Sequence, residues 1–214
     1  MEDGISHGRT RMIEIEICHH RFFVYGQDWE DNTGEPLVDL LRELGLESKH
    51  YVLDFGCGSL RVGRWLIPYL DKNQYFGIEP NTWLIEMALK EEIPEDIIKS
   101  KAPTFSDKRG HDLSVFRPQK FDFILASGVL IHSSHSQLDP FFESLPESLK
   151  KDGTLVGEIR TGGSEYMGEE WNYPKDVNHE HDCIANRVAL VGMKLEWLPP
   201  QPFYGTWFTV KHHD

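Results

Sequence analysis

The 214-residue chain is 39% hydrophobic with a formal net charge of −13: enough apolar material for one core, and too little basic charge for a broad nucleic-acid surface. Its cysteines, Cys18, Cys57 and Cys183, are widely spaced and odd in number, which excludes a disulfide framework and suits a reducing compartment. The first residues lack the apolar core of a signal peptide, and no apolar run approaches the roughly 20 residues of a membrane-spanning helix. A cytoplasmic protein with no membrane partner is expected.

Taken in chain order, Tyr51–Phe55 (YVLDF) reads as a buried strand. Leu60, Val62, Leu66, Ile67 and Leu70 recur at helical spacing, so a helix over Leu60–Leu70 is predicted, stopping near Pro68. Tyr75–Ile78 (YFGI) is the next strand, and Asn81 stands where it could cap a helix over Thr82–Leu89. Phe121–Ala126 (FDFILA) is a further strand, followed by a helix from about Ser136 to Leu149. The turn Lys151-Asp152-Gly153 leads into a strand over Leu155–Ile159. Asp182–Val191 reads as a helix, and Leu195–Leu198 and Trp207–Val210 as two closing strands. The Pro199–Pro202 loop between them is too short for a helical crossover, so that pair is expected to be antiparallel. Alternation of strands and helices predicts an α/β domain, its sheet mostly parallel with helices on both faces. No repeat, low-complexity segment or linker divides it.

Val52–Gly58 places two glycines where a strand turns toward a helix, at the carboxyl end at which open α/β sheets bind ligands. Glycine lets backbone approach a ligand closely there. The next strand ends at Glu79, whose carboxylate can accept hydrogen bonds from ribose hydroxyls. A dinucleotide fingerprint would require a third glycine, but that position is Arg61. Asp54, just before the first glycine, repels a pyrophosphate and suits a ligand carrying an ammonium and a sulfonium. A dinucleotide dehydrogenase is therefore the opposed alternative.

The runs VLDFGCGSLRVGRWLIPYL, YFGIEPNTWLIE, FDFILASGVLIHSSHSQL and LKKDGTLVGEI resemble a class I S-adenosylmethionine (AdoMet)-dependent methyltransferase. GCGSLR with GIEPN is similar to a bacterial subgroup of that family. The likeness covers about residues 35–160 by sequence and the remainder by element pattern. It implies a Rossmann-like class I methyltransferase fold, with a seven-stranded, mostly parallel sheet and an antiparallel final strand. Residues 35–214 would form the single domain and residues 1–34 an amino-terminal arm covering the cofactor.

Position by position, the resemblance implies that Asp54, Phe55, Gly56, Cys57 and Gly58 hold the methionine moiety of AdoMet. Glu79 would take the ribose hydroxyls, and Pro80 would line the adenine. Asp112, beside Leu113, would meet the adenine amino group, with Asp107 its rival. Ser127 would stand beside the reactive methyl. Each has a plainer reading: Asp54 as a helix cap, Glu79 as a solvated strand end, Asp112 as a loop carboxylate, Cys57 as a small buried filler.

Methyl transfer from a sulfonium is an in-line displacement in which alignment supplies much of the rate, and a hydroxyl nucleophile gains from a base near neutral pH. His132 and His135 are the candidates, against the reading that His132 packs under the cofactor or caps the next helix. No Asn/Asp-Pro-Pro-Tyr segment follows Phe121–Ala126, so a small-molecule or glycan-precursor acceptor is expected, with transfer to oxygen first and to nitrogen second. Arg61 could bind a substrate acid. Tyr166 and Trp171, with Trp29, Tyr173 and Trp207, could form a substrate lid, which the glycines at 162, 163 and 168 would make flexible, or could pack on the core. His179 and His181 could reach a metal with His132 or His135, or belong to a polar loop opening the following helix; no metal is assigned. A third class, a cofactor-binding regulatory or scaffold protein without turnover, stays open.

Overall fold

Strands β1 (Val52–Phe55) and β4 (Phe121–Ala126) lie side by side at the centre of a seven-stranded sheet. The computed structural model describes His20, Arg21 and residues 34–213. Around that pair come β2 (Tyr75–Ile78), β3 (Thr104–Ser106), β5 (Leu149–Glu165), β6 (Met193–Trp197) and β7 (Thr206–His212), in the order β3-β2-β1-β4-β5-β7-β6. The first five pair in parallel, and β7 runs antiparallel to both β5 and β6. The helices are α1 (Gly34–Glu43), α2 (Gly63–Tyr69), α3 (Thr82–Glu91), α4 (Glu95–Lys101), α5 (His135–Ser148) and α6 (His181–Leu190). Short 3-10 turns cover Leu113–Phe116 and Leu130–His132.

Side chains alternate across a strand, and here both faces are apolar. Val52, Phe123 and Leu125 face a core built with Leu37, Leu41, Leu66 and Ile67 of α1 and α2. Leu53, Ile124 and Ala126 face a second core built with Phe141, Leu145, Ile184 and Val188 of α5 and α6. Truncating a fully buried residue such as Leu53 to alanine costs roughly 2–5 kcal/mol, because the lost contacts leave a cavity.

Several elements depart from the pattern read off the sequence. The helix expected from Leu60 begins only at Gly63, because Leu60 adopts φ 58° and closes a turn behind the glycines instead. Pro68 lies inside that helix, which ends one residue later at Tyr69. Asn81 precedes α3, but its side chain makes no cap; it turns back to Glu79. β5 extends well beyond its apolar run at both ends and passes through Gly162 and Gly163. α1, α4 and β3 carry no counterpart among the sequence signals. Cys18, Trp29 and most of the arm lie outside the described residues; His20 and Arg21 contact Glu91 and Glu92 at the end of α3. No helix among the described residues is long and apolar enough to cross a membrane.

Candidate active site

Chain order reverses direction between β1 and β4, and a crevice opens there beyond the strands' carboxyl ends. It is a cleft of about 950 Å³, near the upper end for small-molecule sites. Phe55, Gly56, Gly58, Glu79, Pro80 and Ser127 line it. Gly56 donates its N–H to the Ile78 carbonyl (2.9 Å) and holds φ 73°; a Cβ there would sit 2.0 Å from Val129 Cγ2. Gly58 has φ 51°. The turn is thus bare backbone at the end of β1, as a ligand laid across it requires.

Glu79 is 8% exposed, and its Oε1 accepts from the Asn81 backbone N–H (2.8 Å) and Nδ2–H (2.9 Å). Burial raises its pKa, and the bonds from Asn81 and the Gly58 N–H oppose that rise. Asp54 is placed differently from expectation. It is 4% exposed beneath the glycine turn, outside the cleft wall, and accepts from the Tyr75 hydroxyl at 2.8 Å. Burial pushes its carboxyl up to about 6, against the hydrogen bond from Tyr75 and the charge of Arg61. Cys57 is buried below the same turn, outside the wall; a Cβ on Gly77 would come 2.8 Å from its sulfur.

Asp112 and Leu113 do not line the cleft either. Asp112 caps the 3-10 turn, accepting from the Ser114 N–H (2.8 Å) and hydroxyl (2.7 Å), so its carboxylate is occupied locally. Leu113 is core, and its N–H donates to Ser144 Oγ (3.0 Å). The wall here is Arg109, Gly110 and His111 instead; Asp107 is exposed and stands outside it. His111 shares a 2.8 Å hydrogen bond between Nε2 and Ser133 Oγ, and burial lowers its pKa to about 4, so the ring is neutral.

The other half of the cleft is polar and aromatic. Arg61 donates from Nη2 to Ser127 Oγ (3.1 Å). Glu158, within β5 next to buried Ile159, accepts from the Gly128 N–H (3.1 Å) and lies 3.3 Å from Arg160, which also donates to Asp176 (2.9 Å). His132 lines the cleft with Nδ1 at 3.0 Å from the Lys175 carbonyl and 3.8 Å from Asp176. Since a carbonyl only accepts, Nδ1 carries the proton and Nε2 the lone pair. Burial lowers the His132 pKa, outweighing the Lys175 bond and the Asp176 charge. Trp171 stacks edge-on against His132 (5.4 Å), Tyr173 does so on another side (5.1 Å), and Trp171 also reaches His111 (5.9 Å).

His135, in contrast, faces away from the cleft, toward His179 and Cys183. Tyr166 stands outside the wall, beside Gly168. His181 packs on Trp197 at 4.5 Å and does not join His179. Trp207 is a buried residue of β7 that lines the cleft floor, and Tyr204 is a mostly exposed wall residue that the sequence signals do not include. The segment carrying Trp171 and Tyr173 is stitched down rather than free: Asn172 N–H donates to the His132 carbonyl (3.0 Å), Val177 N–H to Ile131 (2.6 Å) and His179 N–H to Arg160 (2.8 Å).

The same architecture occurs in proteins of known structure. Magnesium protoporphyrin IX methyltransferase from Synechocystis, with bound AdoMet, superposes with TM-score 0.62 at 15% identity over 99% of this chain and 87% of that one. DesVI of Streptomyces venezuelae gives 0.62 at 13% over 99% and 100%, and a sugar N-methyltransferase from Streptoalloteichus gives 0.61 at 14% over 100% and 96%. By sequence, an uncharacterized protein of Methanocaldococcus jannaschii is 24% identical over 156 residues, which are 70% of this chain but only 38% of that protein's length. The family model of the methyltransferase domain matches residues 29–193. With that match over most of its length, the chain belongs to the methyltransferase-domain family of class I AdoMet-dependent methyltransferases.

Proposed function

We propose that the cleft holds AdoMet across the ends of β1 and β2 and transfers its methyl group to a hydroxyl of a small molecule, a sugar or related metabolite. The observation that carries this reading is the adjacency of two unlike halves: bare glycine backbone with Glu79 on one side, and neutral His132 framed by aromatic rings on the other. Glu79 would accept from the ribose hydroxyls, beside Pro80 and Phe55. Gly56 and Gly58 would carry the methionine portion, with the Asp54 charge one layer beneath as counterweight to its ammonium. Residues 1–34 would fold over the bound cofactor, and residues 35–214 would form the catalytic domain.

AdoMet, when bound, supplies an electrophilic methyl on a sulfonium. The chain's own residues position the acceptor and handle its proton. Ser127, held by Arg61, stands at the end of β4 where the two halves meet. His132 Nε2 would accept the acceptor's proton as oxygen attacks carbon, and Asp176, 3.8 Å from Nδ1, would stabilise the resulting imidazolium. Trp171 and Tyr173 would stack on the acceptor ring. Glu158 and Asp176 also suit an acceptor that arrives as a cation, which keeps transfer to nitrogen as the second reading; the similar sugar N-methyltransferase from Streptoalloteichus acts on that atom.

Calorimetric titration with AdoMet, S-adenosylhomocysteine and NAD, on wild type and Glu79→Gln, tests the cofactor half. Micromolar binding of the first two is expected, with none for NAD. Removing the charge that takes the ribose hydroxyls should weaken binding roughly 10–150-fold, the worth of ~1.5–3 kcal/mol of charge-assisted hydrogen bonding. Equal affinity in the variant would refute the Glu79 assignment. Methyl transfer from labelled AdoMet to matched hydroxyl and amine acceptors then separates oxygen from nitrogen, and binding without turnover on any acceptor would favour a regulatory role.

A further inference from the structure

Behind the cleft wall, on the far side of Ser133, three ligating side chains from three elements converge. His135 begins α5, His179 lies in the segment before α6, and Cys183 sits in the first turn of α6. One ligand atom from each falls within 4.8 Å of the others. Cys183 Sγ is 3.3 Å from His135 Nδ1 and 4.0 Å from His179 Nδ1. A tetrahedral zinc with Zn–S near 2.3 Å and Zn–N near 2.0 Å puts sulfur and nitrogen about 3.5 Å apart, between those two values.

The surroundings orient these atoms as outer partners orient ligands. His179 is fully buried, and its Nε2 donates to the Ser133 carbonyl at 3.0 Å, so the lone pair resides on Nδ1, the nitrogen nearer the sulfur. The His135 and His179 rings stand at 89° to each other with centroids 5.1 Å apart, which lets both nitrogens address one point. Arg187 donates from Nη1 to Cys183 Sγ (2.9 Å) and carbonyl (3.0 Å), and from Nη2 to the His135 carbonyl (3.1 Å). It thereby fixes the sulfur in place, while Asp139 accepts from Nε (2.8 Å) and offsets the guanidinium charge. A thiolate has lone pairs enough for that donor and a metal together. Cys183 is only half buried, so water can complete a fourth position.

We propose that His135, His179 and Cys183 bind a zinc ion, with a structural rather than catalytic task. The ion ties the amino-terminal ends of α5 and α6 together and locks the segment that ends at His179. That segment carries Trp171, Tyr173 and Asp176 to their places around His132. Imidazole and thiolate in one set suit zinc over magnesium or calcium, which take oxygen ligands.

The test uses the full-length protein, stripped of metal and titrated with Co²⁺, which adopts the same geometry and reports thiolate ligation through a near-ultraviolet charge-transfer band. Wild type should bind one Co²⁺ per chain with that band, lose the band on adding Zn²⁺, and melt at higher temperature with Zn²⁺ than without. Cys183→Ser, checked for native circular dichroism, should lose the band and the zinc-dependent rise in melting temperature. Absence of the band in wild type at saturating Co²⁺ overturns the proposal whatever the variant does. So does the same band in folded Cys183→Ser, which would assign the thiolate to another cysteine.

Discussion

Asp54→Asn should make the protein more stable at neutral pH while impairing it. The side chains are isosteric, and the amide oxygen of the variant can still accept from the Tyr75 hydroxyl, 2.8 Å away in the parent. Burial lifts the Asp54 carboxyl from its ordinary 3.8 to about 6, a difference worth ~3 kcal/mol at 1.36 kcal/mol per pH unit. The folded pKa of this acid is raised, so between those values the native state holds the proton that the unfolded chain has released. Stability therefore falls as pH rises through the window, and the full cost stands above about pH 6. The amide has no charge to desolvate and escapes that cost. Urea denaturation of both proteins from pH 3.5 to 8 isolates the effect, because other titrating groups cancel in the difference. The stability gap should be near zero at the acid end, widen between about pH 4 and 6, and level off near ~3 kcal/mol, a rise of roughly 6–12 °C in melting temperature. AdoMet binding, measured by calorimetry, should weaken as the counter-charge under the glycine turn disappears. A stability gap that is flat with pH would refute the assignment of the cost to the buried charge.

Gly56→Ala should lose roughly 1–3 kcal/mol from the left-handed backbone alone, and more from the 2.0 Å approach of its Cβ to Val129, read as a lower urea midpoint. An unchanged midpoint would mean that the turn relaxes. His132→Gln should cut turnover by about 10²–10⁴-fold, with AdoMet affinity held, if the ring removes a proton. The acid limb of the wild-type kcat/KM profile should lie below the ordinary histidine range, in keeping with the burial that lowers the His132 pKa, and should vanish in the variant.

The sheet is legible in the sequence because its strands are short apolar runs bounded by glycine and charge. Tyr51–Phe55 and Phe121–Ala126 need no distant partner to be recognised as doubly buried. β3 is not, since Thr104–Ser106 is a three-residue edge strand with an exposed start and little hydrophobic signal. The cleft wall at Gly56, Gly58 and Glu79 is legible through glycine spacing and a strand-end carboxylate, yet spacing says nothing of side-chain direction, and so Asp54 and Asp112 face Tyr75 and Ser114. Glu158 lies inside the LKKDGTLVGEI run and Arg160 just beyond it, but nothing in the string shows that both line the cleft. His135 and His132 look equivalent in the string. They separate only because a 3-10 turn ends at one and a helix starts at the other, which points them to opposite sides of Ser133.

The stitched segment from Trp171 to His179 has a consequence for how this protein could acquire new acceptors. Its amides are tied to Ile131, His132 and Arg160 through backbone, and its side-chain anchors are Asp176 and His179, so its path does not depend on the rings displayed at 171 and 173. Trp171 and Tyr173 can therefore be exchanged like tiles on a fixed frame, without redrawing the loop beneath. Divergence at this rim would proceed by single substitutions that reshape the wall, leaving the glycine turn, Glu79 and His132 in register throughout.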